Sequence, residues 1–231
     1  MSGKPPETQR DVIRWAYKSV VALLVEATLL MISSGRWDWV RGWLLVGLYA
    51  VATVIQALVM SSDLLAERSG IKRGAKAWDI VLGSLAALVL PMATWTVAGL
   101  NGRFGWSLPL SPVVWWFGLL LFVAGWGIVL WAMAANRYFS TVVRLQEERG
   151  QRVVMEGPYR YVRHPGYVGP ILFQLTMPII LGSWWALIPS GLAAGLYVAR
   201  TALEDKTLHQ ELAGYKAYAQ EVGYRLLPDV W

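Results

Sequence analysis

Apolar residues along this chain come in long unbroken blocks, not in the short runs of a soluble fold. Four stretches lack Asp, Glu, Lys and Arg for long enough to cross a bilayer, which takes roughly 20 residues as helix: 42–62, 80–102, 104–136 and 164–199. A shorter block, about 19–35, carries Glu26 inside it and is read as a further span preceding these. None of the blocks alternates apolar with polar as a barrel strand does, and a lipid-exposed backbone must satisfy its own hydrogen bonds, so helix is the expected form. The last block is too long for one crossing. Pro178, Gly182, Ser183 and Pro189 interrupt it, which predicts a helical hairpin turning within 181–184.

Beyond the hairpin the pattern changes period. Leu203, Leu208, Leu212, Tyr215, Ala219 and Val222 recur at helical spacing and predict an amphipathic C-terminal helix ended by Gly223 and Pro228. The segment 137–163 is polar yet rich in aromatic and β-branched residues, the composition of an ordered loop. The fold class expected is therefore all-α: a polytopic membrane bundle of about six transmembrane helices, with a cytoplasmic loop and an amphipathic C-terminal helix. A single membrane domain, 1–231, divides into an N-terminal transmembrane scaffold, 1–110, and a core, 111–231, that holds the chemistry.

Charge sets the orientation. Lys4, Arg10, Arg14 and Lys18 precede the first span, Arg68, Lys72, Arg73 and Lys76 follow the second, and six arginines lie within 137–163, whereas the connectors near Arg36 and Arg103 carry few. The positive-inside rule then puts both termini and the large loops in the cytoplasm, with an even number of crossings of what is expected to be the plasma (inner) membrane. The net charge of +6 reflects these flanks; no soluble basic module with interleaved aromatics exists to bind nucleic acid. The first span lacks a small-residue cleavage site and is expected to remain in the mature protein. With no cysteine there is no disulfide, thiolate metal site or cysteine nucleophile. Among the 14 tryptophans, Trp37, Trp39, Trp78, Trp106, Trp184 and Trp185 stand at span ends, where interfacial belts form.

Candidate chemistry concentrates in the string 157–169, GPYRYVRHPGYVG. It offers glycine-freed backbone N–H groups, arginines, a histidine and stackable rings, which suit an anionic or amphipathic cofactor and equally suit a lipid-headgroup anchor. Pro165 holds His164 away from α-helical geometry, so the ring can be fixed at a helix entrance. Arg200 and Glu204 share a helix face: they are either a surface i,i+4 pair or, turned inward, ligands for a carboxylate and an ammonium. Glu26, an ionisable group within a span, is a functional candidate or an interfacial residue. Gly125 and Gly127 read as helix-packing positions ahead of ligand contacts. His164 and His209 are the only histidines, in settings too different to favour a metal site. No metal is expected.

Taken together, FSTVVRLQEERGQRVVMEGPYRYVRHPGYVG and ALEDKTLHQELAGYKAYAQEVGYRLLP resemble the isoprenylcysteine carboxyl methyltransferase and phospholipid methyltransferase superfamily over about the last hundred residues. The resemblance implies an S-adenosylmethionine pocket between loop and C-terminal helix, with a lipid-side entrance for a lipophilic or small-molecule methyl acceptor. Carried over by position, Val153, Gly157, Tyr159, Arg163, His164 and Tyr167 would line the cofactor, Glu204 would meet its amino group, and Arg200 would orient the acceptor or the methionine carboxylate. Gln151 stands where the family often has histidine. Arg200 and Glu204 are the residues implied in catalysis, and carboxyl O-methylation of an isoprenylcysteine-like substrate is the most family-like reaction. A membrane NADPH-dependent sterol or enone reductase shares an HPxYxG loop and is the nearest rival, although Pro170 departs from the acidic residue such enzymes often carry there. A non-enzymatic membrane protein is the third reading.

Overall fold

The computed structural model describes residues 6–231 and is helical throughout, with no strand among the described residues; Lys4 lies outside them. Helix α1 spans Pro6–Ser34, α2 Val40–Val59, α3 Ser62–Glu67, α4 Ala77–Ser84, α5 Leu90–Phe104, α6 Pro112–Ala135, α7 Pro165–Leu181, α8 Leu187–Glu211 and α9 Tyr215–Glu221. A π turn, Leu85–Val89, joins α4 to α5, so that Ala77–Phe104 is one continuous span. Four spans are long and apolar enough to cross a membrane: α1, α2, α4 with α5, and α6. Helix α7 is shorter, its 17 residues covering about 25 Å at 1.5 Å per residue. With the apolar first half of α8 it forms the expected hairpin.

The helix ends follow local chemistry. Ser61 and Ser111 cap α3 and α6, each side chain accepting from the backbone N–H three residues on. Gly105 and Gly182 take left-handed conformations, φ 67° and 78°, and end α5 and α7. The fourth span begins only at Pro112, eight residues after the charge-free run opens, because Gly105 breaks the helix and the Ser111 cap with Pro112 starts the next one. In the other direction, α1 starts well before its apolar block, at Pro6. Its polar extension docks on the link after α3 through Asp11, which accepts from Lys72 at 2.7 Å.

Three further expectations need correction. The amphipathic segment is not one helix, because α8 runs unbroken from the membrane through Arg200 to Glu211 and Gly214, at φ 81°, separates it from the short α9. Pro189 falls in the first turn of α8, where a missing N–H costs nothing, and so does not interrupt it. Trp39 is no belt residue; it is buried in a core with Met31, Leu45, Phe122 and Met177. Trp37, Trp106, Trp184 and Trp185 are exposed at helix ends.

Close helix packing rests on glycine. A Cβ at Gly169 of α7 would overlap the carbonyl of Gly125 in α6, while Gly127 faces open space. Gly125 is thus the packing position, and the two main chains meet there in van der Waals contact. Glu26 is buried, and its Oε1 has no hydrogen-bond partner among the described residues.

Candidate active site

The segment 137–163 is pinned as it leaves α6. Arg144 is buried and donates from Nε and Nη2 to the buried Glu67 of α3, at 3.0 and 2.9 Å. Ser140 donates to the same carboxylate at 3.0 Å. Asp79, at the start of α4, accepts the backbone N–H of Val143 at 2.7 Å, and Val143 in turn accepts from Lys76 N at 3.0 Å. The loop therefore folds over the ends of the N-terminal helices. A bidentate guanidinium–carboxylate pair of this kind fixes orientation as well as contact.

Beneath the loop lies a cavity of about 300 Å³, within the size range of small-molecule sites. Gln151, Val153, Tyr159, Arg163, His164, Tyr167, Arg200 and Glu204 all line it, although 37 residues separate Tyr167 from Glu204 along the chain. Gly157 does not. Its φ of 59° is left-handed, and a Cβ there would press on Ala135 and on Trp131 Nε1, so its place is to seat the loop against α6.

Arg200 and Glu204 are neither a surface pair nor partners of each other. Arg200 is buried and donates from Nε to Asp79 at 2.7 Å and from Nη2 to the carbonyl of Thr141 at 3.3 Å. Its guanidinium also lies 5.3 Å from the Tyr167 ring centroid. Gly83 leaves room for this, since a Cβ would sit 3.2 Å from the Arg200 guanidinium carbon. Glu204 instead accepts the Tyr167 hydroxyl at 2.6 Å, which fixes its carboxylate at the cavity wall.

The neighbouring Asp205 faces another way and is almost wholly buried. It accepts from Arg163 Nε at 2.8 Å, from the Tyr215 hydroxyl at 2.9 Å and from Arg225 Nε at 2.8 Å, and His164 Nε2 lies 3.1 Å from it. One carboxylate thereby ties together the loop, α8, α9 and the C-terminal segment. Burial alone would raise its pKa; the contacts with His164, Arg163 and Arg225 outweigh this and hold it well below the ordinary carboxylate range. Burial, followed by the Asp205 charge, pushes the Tyr215 hydroxyl far above its usual value, so it stays a donor. Arg163 also donates to the carbonyls of Val222 and Gly223, and so all its nitrogens are occupied. Both histidines turn toward Asp205, His209 Nδ1 to its backbone oxygen at 2.8 Å.

Gln151 is also committed within the loop, where its Oε1 accepts the backbone N–H of Gln146 at 2.7 Å. The opposite end of the cavity is apolar: Ala87 of the π turn, Trp126 and Val129 of α6, Pro170 and Phe173 of α7. Sequence reasoning found the loop string and Glu204 because they are local. It missed Glu67, Arg68 and Asp79, which lie in the half read as a transmembrane scaffold. The only signal available was their position at span ends, where charges also serve topology.

The C-terminal half also has relatives among known proteins. Residues 113–213 match the family model described as phospholipid methyltransferase. An uncharacterized protein, YpbQ, of Bacillus subtilis is 29% identical over 43% of this chain and 60% of its own length. A probable protein-S-isoprenylcysteine O-methyltransferase of Oryza sativa subsp. indica is 26% identical over 46% of this chain and 60% of its own. Protein-S-isoprenylcysteine O-methyltransferase B of Arabidopsis thaliana is 28% identical over 47% and 58%. The matches thus span about three-fifths of each relative's length.

Proposed function

We propose that the protein is a membrane-embedded methyltransferase using S-adenosylmethionine to methylate a lipophilic acceptor, a reading supported by the likeness of residues 113–213 to phospholipid methyltransferases and by the plant relatives named for isoprenylcysteine O-methylation. The observation that carries this reading is a single cavity with two kinds of wall. Glu204, Tyr159, His164 and Tyr167 stand at the end covered by loop and α9, and Trp126, Val129 and Phe173 at the end framed by membrane helices.

The residues fit the donor. Glu204 is a carboxylate aimed at the cavity with its orientation set by Tyr167, as an ammonium ligand requires. Tyr159, Tyr215 and Tyr218 provide ring faces for an adenine or a sulfonium. Val153 packs with Tyr215 and Tyr218 and closes that end. When bound, the donor supplies an already activated methyl group. The protein's task is then to align the acceptor with it in a water-poor space, and positioning of this kind can lower a barrier by roughly 7–11 kcal/mol. Arg200 is held rigidly by Asp79 and orients the acceptor or the donor's carboxylate, while Arg163, Gln151 and Gly157 position the loop. The plant relatives are named for O-methyl transfer to isoprenylcysteine; the same reaction is the most family-like one for this chain.

Titration calorimetry in detergent tests the reading. The purified protein is expected to bind S-adenosylmethionine or its demethylated product saturably and to give no heat with NADPH. Saturable NADPH binding without a response to S-adenosylmethionine would put a reductase in its place.

A further inference from the structure

Three buried arginines around the cavity are neutralised, while Arg152 is exposed to solvent. Arg144 is paired with Glu67, Arg163 with Asp205 and Arg200 with Asp79, at 2.7–2.9 Å. Arg68, at the end of α3, is different. It lines the cavity, its Nε is buried without a hydrogen-bond partner, and no carboxylate among the described residues lies within ion-pair distance. Its guanidinium carbon lies 5.3 Å from the Phe139 ring centroid, and its charge is felt by the Tyr197 hydroxyl, but neither of these is a counter-charge. Burial lowers its pKa to about 10, which leaves it cationic at neutral pH.

The surroundings give this cation a direction. Phe139 packs with Val129 and Phe173 in one apolar cluster. Phe173 stacks on Trp126, ring centroids 5.3 Å apart, and the Trp126 indole Nε1 also has no hydrogen-bond partner among the described residues. Arg68 therefore stands at the head of an apolar wall running into the membrane helices. A partly buried charge without a counter-charge is costly, and an occupant with an anionic head and a hydrocarbon tail would offset that cost along the whole wall.

We propose that Arg68 is a specificity-determining residue of the acceptor site, the counter-charge for an anionic oxygen group, carboxylate or phosphodiester, on a hydrocarbon-tailed acceptor. The proposal rests on the methyltransferase reading for the identity of the occupant as acceptor. The sequence shows Arg68 only as one of four basic residues after a span, which reads as a topology signal; the fold turns it inward.

The test measures binding to the intact protein in a neutral detergent, with S-adenosylmethionine measured beside it. N-acetyl-S-farnesylcysteine is compared with its uncharged carboxamide, and a short-chain phosphatidylglycerol with the diacylglycerol of the same chains. The parent is expected to bind one of the anionic members at least about 10-fold more tightly than its neutral counterpart. Which pair shows the preference tells carboxylate from phosphodiester. Arg68→Gln should abolish it, Arg68→Lys should restore part of it, and S-adenosylmethionine affinity should stay within about twofold of the parent in both. Equal affinity for charged and neutral members of both pairs in the parent would overturn the proposal even if the variants do not fold. So would an unchanged preference in Arg68→Gln, or a loss confined to S-adenosylmethionine, which would assign Arg68 to the donor. Failure of the parent to bind S-adenosylmethionine while it keeps an Arg68-dependent anion preference would remove the methyltransferase reading instead.

Discussion

Glu204 and Asp205 are adjacent acids with opposite surroundings, and their substitutions are expected to separate cleanly. Among the described residues Glu204 bonds only the Tyr167 hydroxyl, and it faces the cavity. Glu204→Gln should leave the melting temperature close to the parent's and cost about 1.5–3 kcal/mol of S-adenosylmethionine affinity, roughly 10- to 150-fold; affinity within about twofold of the parent would remove Glu204 from the donor site. Asp205→Asn leaves the buried Arg163 without its counter-charge and should cost about 3–5 kcal/mol of stability. The pH dependence has a definite sign. A carboxylate held below its unfolded value favours the fold at every pH above the ordinary carboxylate range, and that contribution is lost as pH falls below it. The stability gap between parent and Asp205→Asn should therefore be full at neutral pH and shrink in acid, as thermal unfolding in detergent across pH 7 to 3 can show. The sequence made Glu204 legible through a family pattern. It could not show that Asp205 is the hub, because its partners Arg163, Tyr215 and Arg225 come from three other segments. For the same reason Arg200 looked like a partner of Glu204 four residues on, when its carboxylate is Asp79, 121 positions away.

At the scale of elements, the apolar blocks located the helices well and their ends poorly. Composition sees the absence of charge, whereas helix ends are set by caps and left-handed glycines, as at Gly105 and Ser111. Helix α8 also outruns its apolar block by three turns, because its polar half is covered by loop and α9 and needs no lipid. Small residues in spans were ambiguous between packing and ligand contact, and here the structure discriminates. At Gly169 an added Cβ would meet the Gly125 carbonyl and Val129, and the backbone oxygen cannot rotate away. Gly169→Ala should destabilise by about 1–3 kcal/mol or more through overpacking of α6 against α7. Gly127→Ala, which meets nothing within 4 Å, should be neutral or stabilising by up to about 1 kcal/mol. Equal melting temperatures for the two variants would show that the α6–α7 contact is not as close as described.

Over the whole molecule, contacts define two faces. On one face, Glu67–Arg144 and Asp79–Val143 join the link after α2 to the 137–163 loop, and Lys76–Glu211 joins it to the end of α8. On the other, Ser107 accepts from Trp184 N, Asn101 donates to the Gly182 carbonyl, and Arg103 approaches Gly35. The first face carries Arg68, Lys72, Arg73, Lys76 and the six arginines of the loop; the second carries little beyond Arg36, Arg41 and Arg103. Contacts and charge thus divide the chain in the same way, and by the positive-inside rule we expect the first face, with the loop over the cavity, to lie in the cytoplasm. With the four long spans and the α7–α8 hairpin all crossing, as the sequence leads us to expect, the C-terminal segment would return to the side from which α1 starts. The chain has no native cysteine, so single cysteines report position directly. Glu147→Cys and Asp38→Cys replace exposed residues on opposite faces. In intact cells a membrane-impermeant maleimide is expected to label Asp38→Cys and to reach Glu147→Cys only after permeabilisation. The reverse pattern would turn the cavity away from the cytosol, and a site facing outward would have no supply of a cytosolic methyl donor.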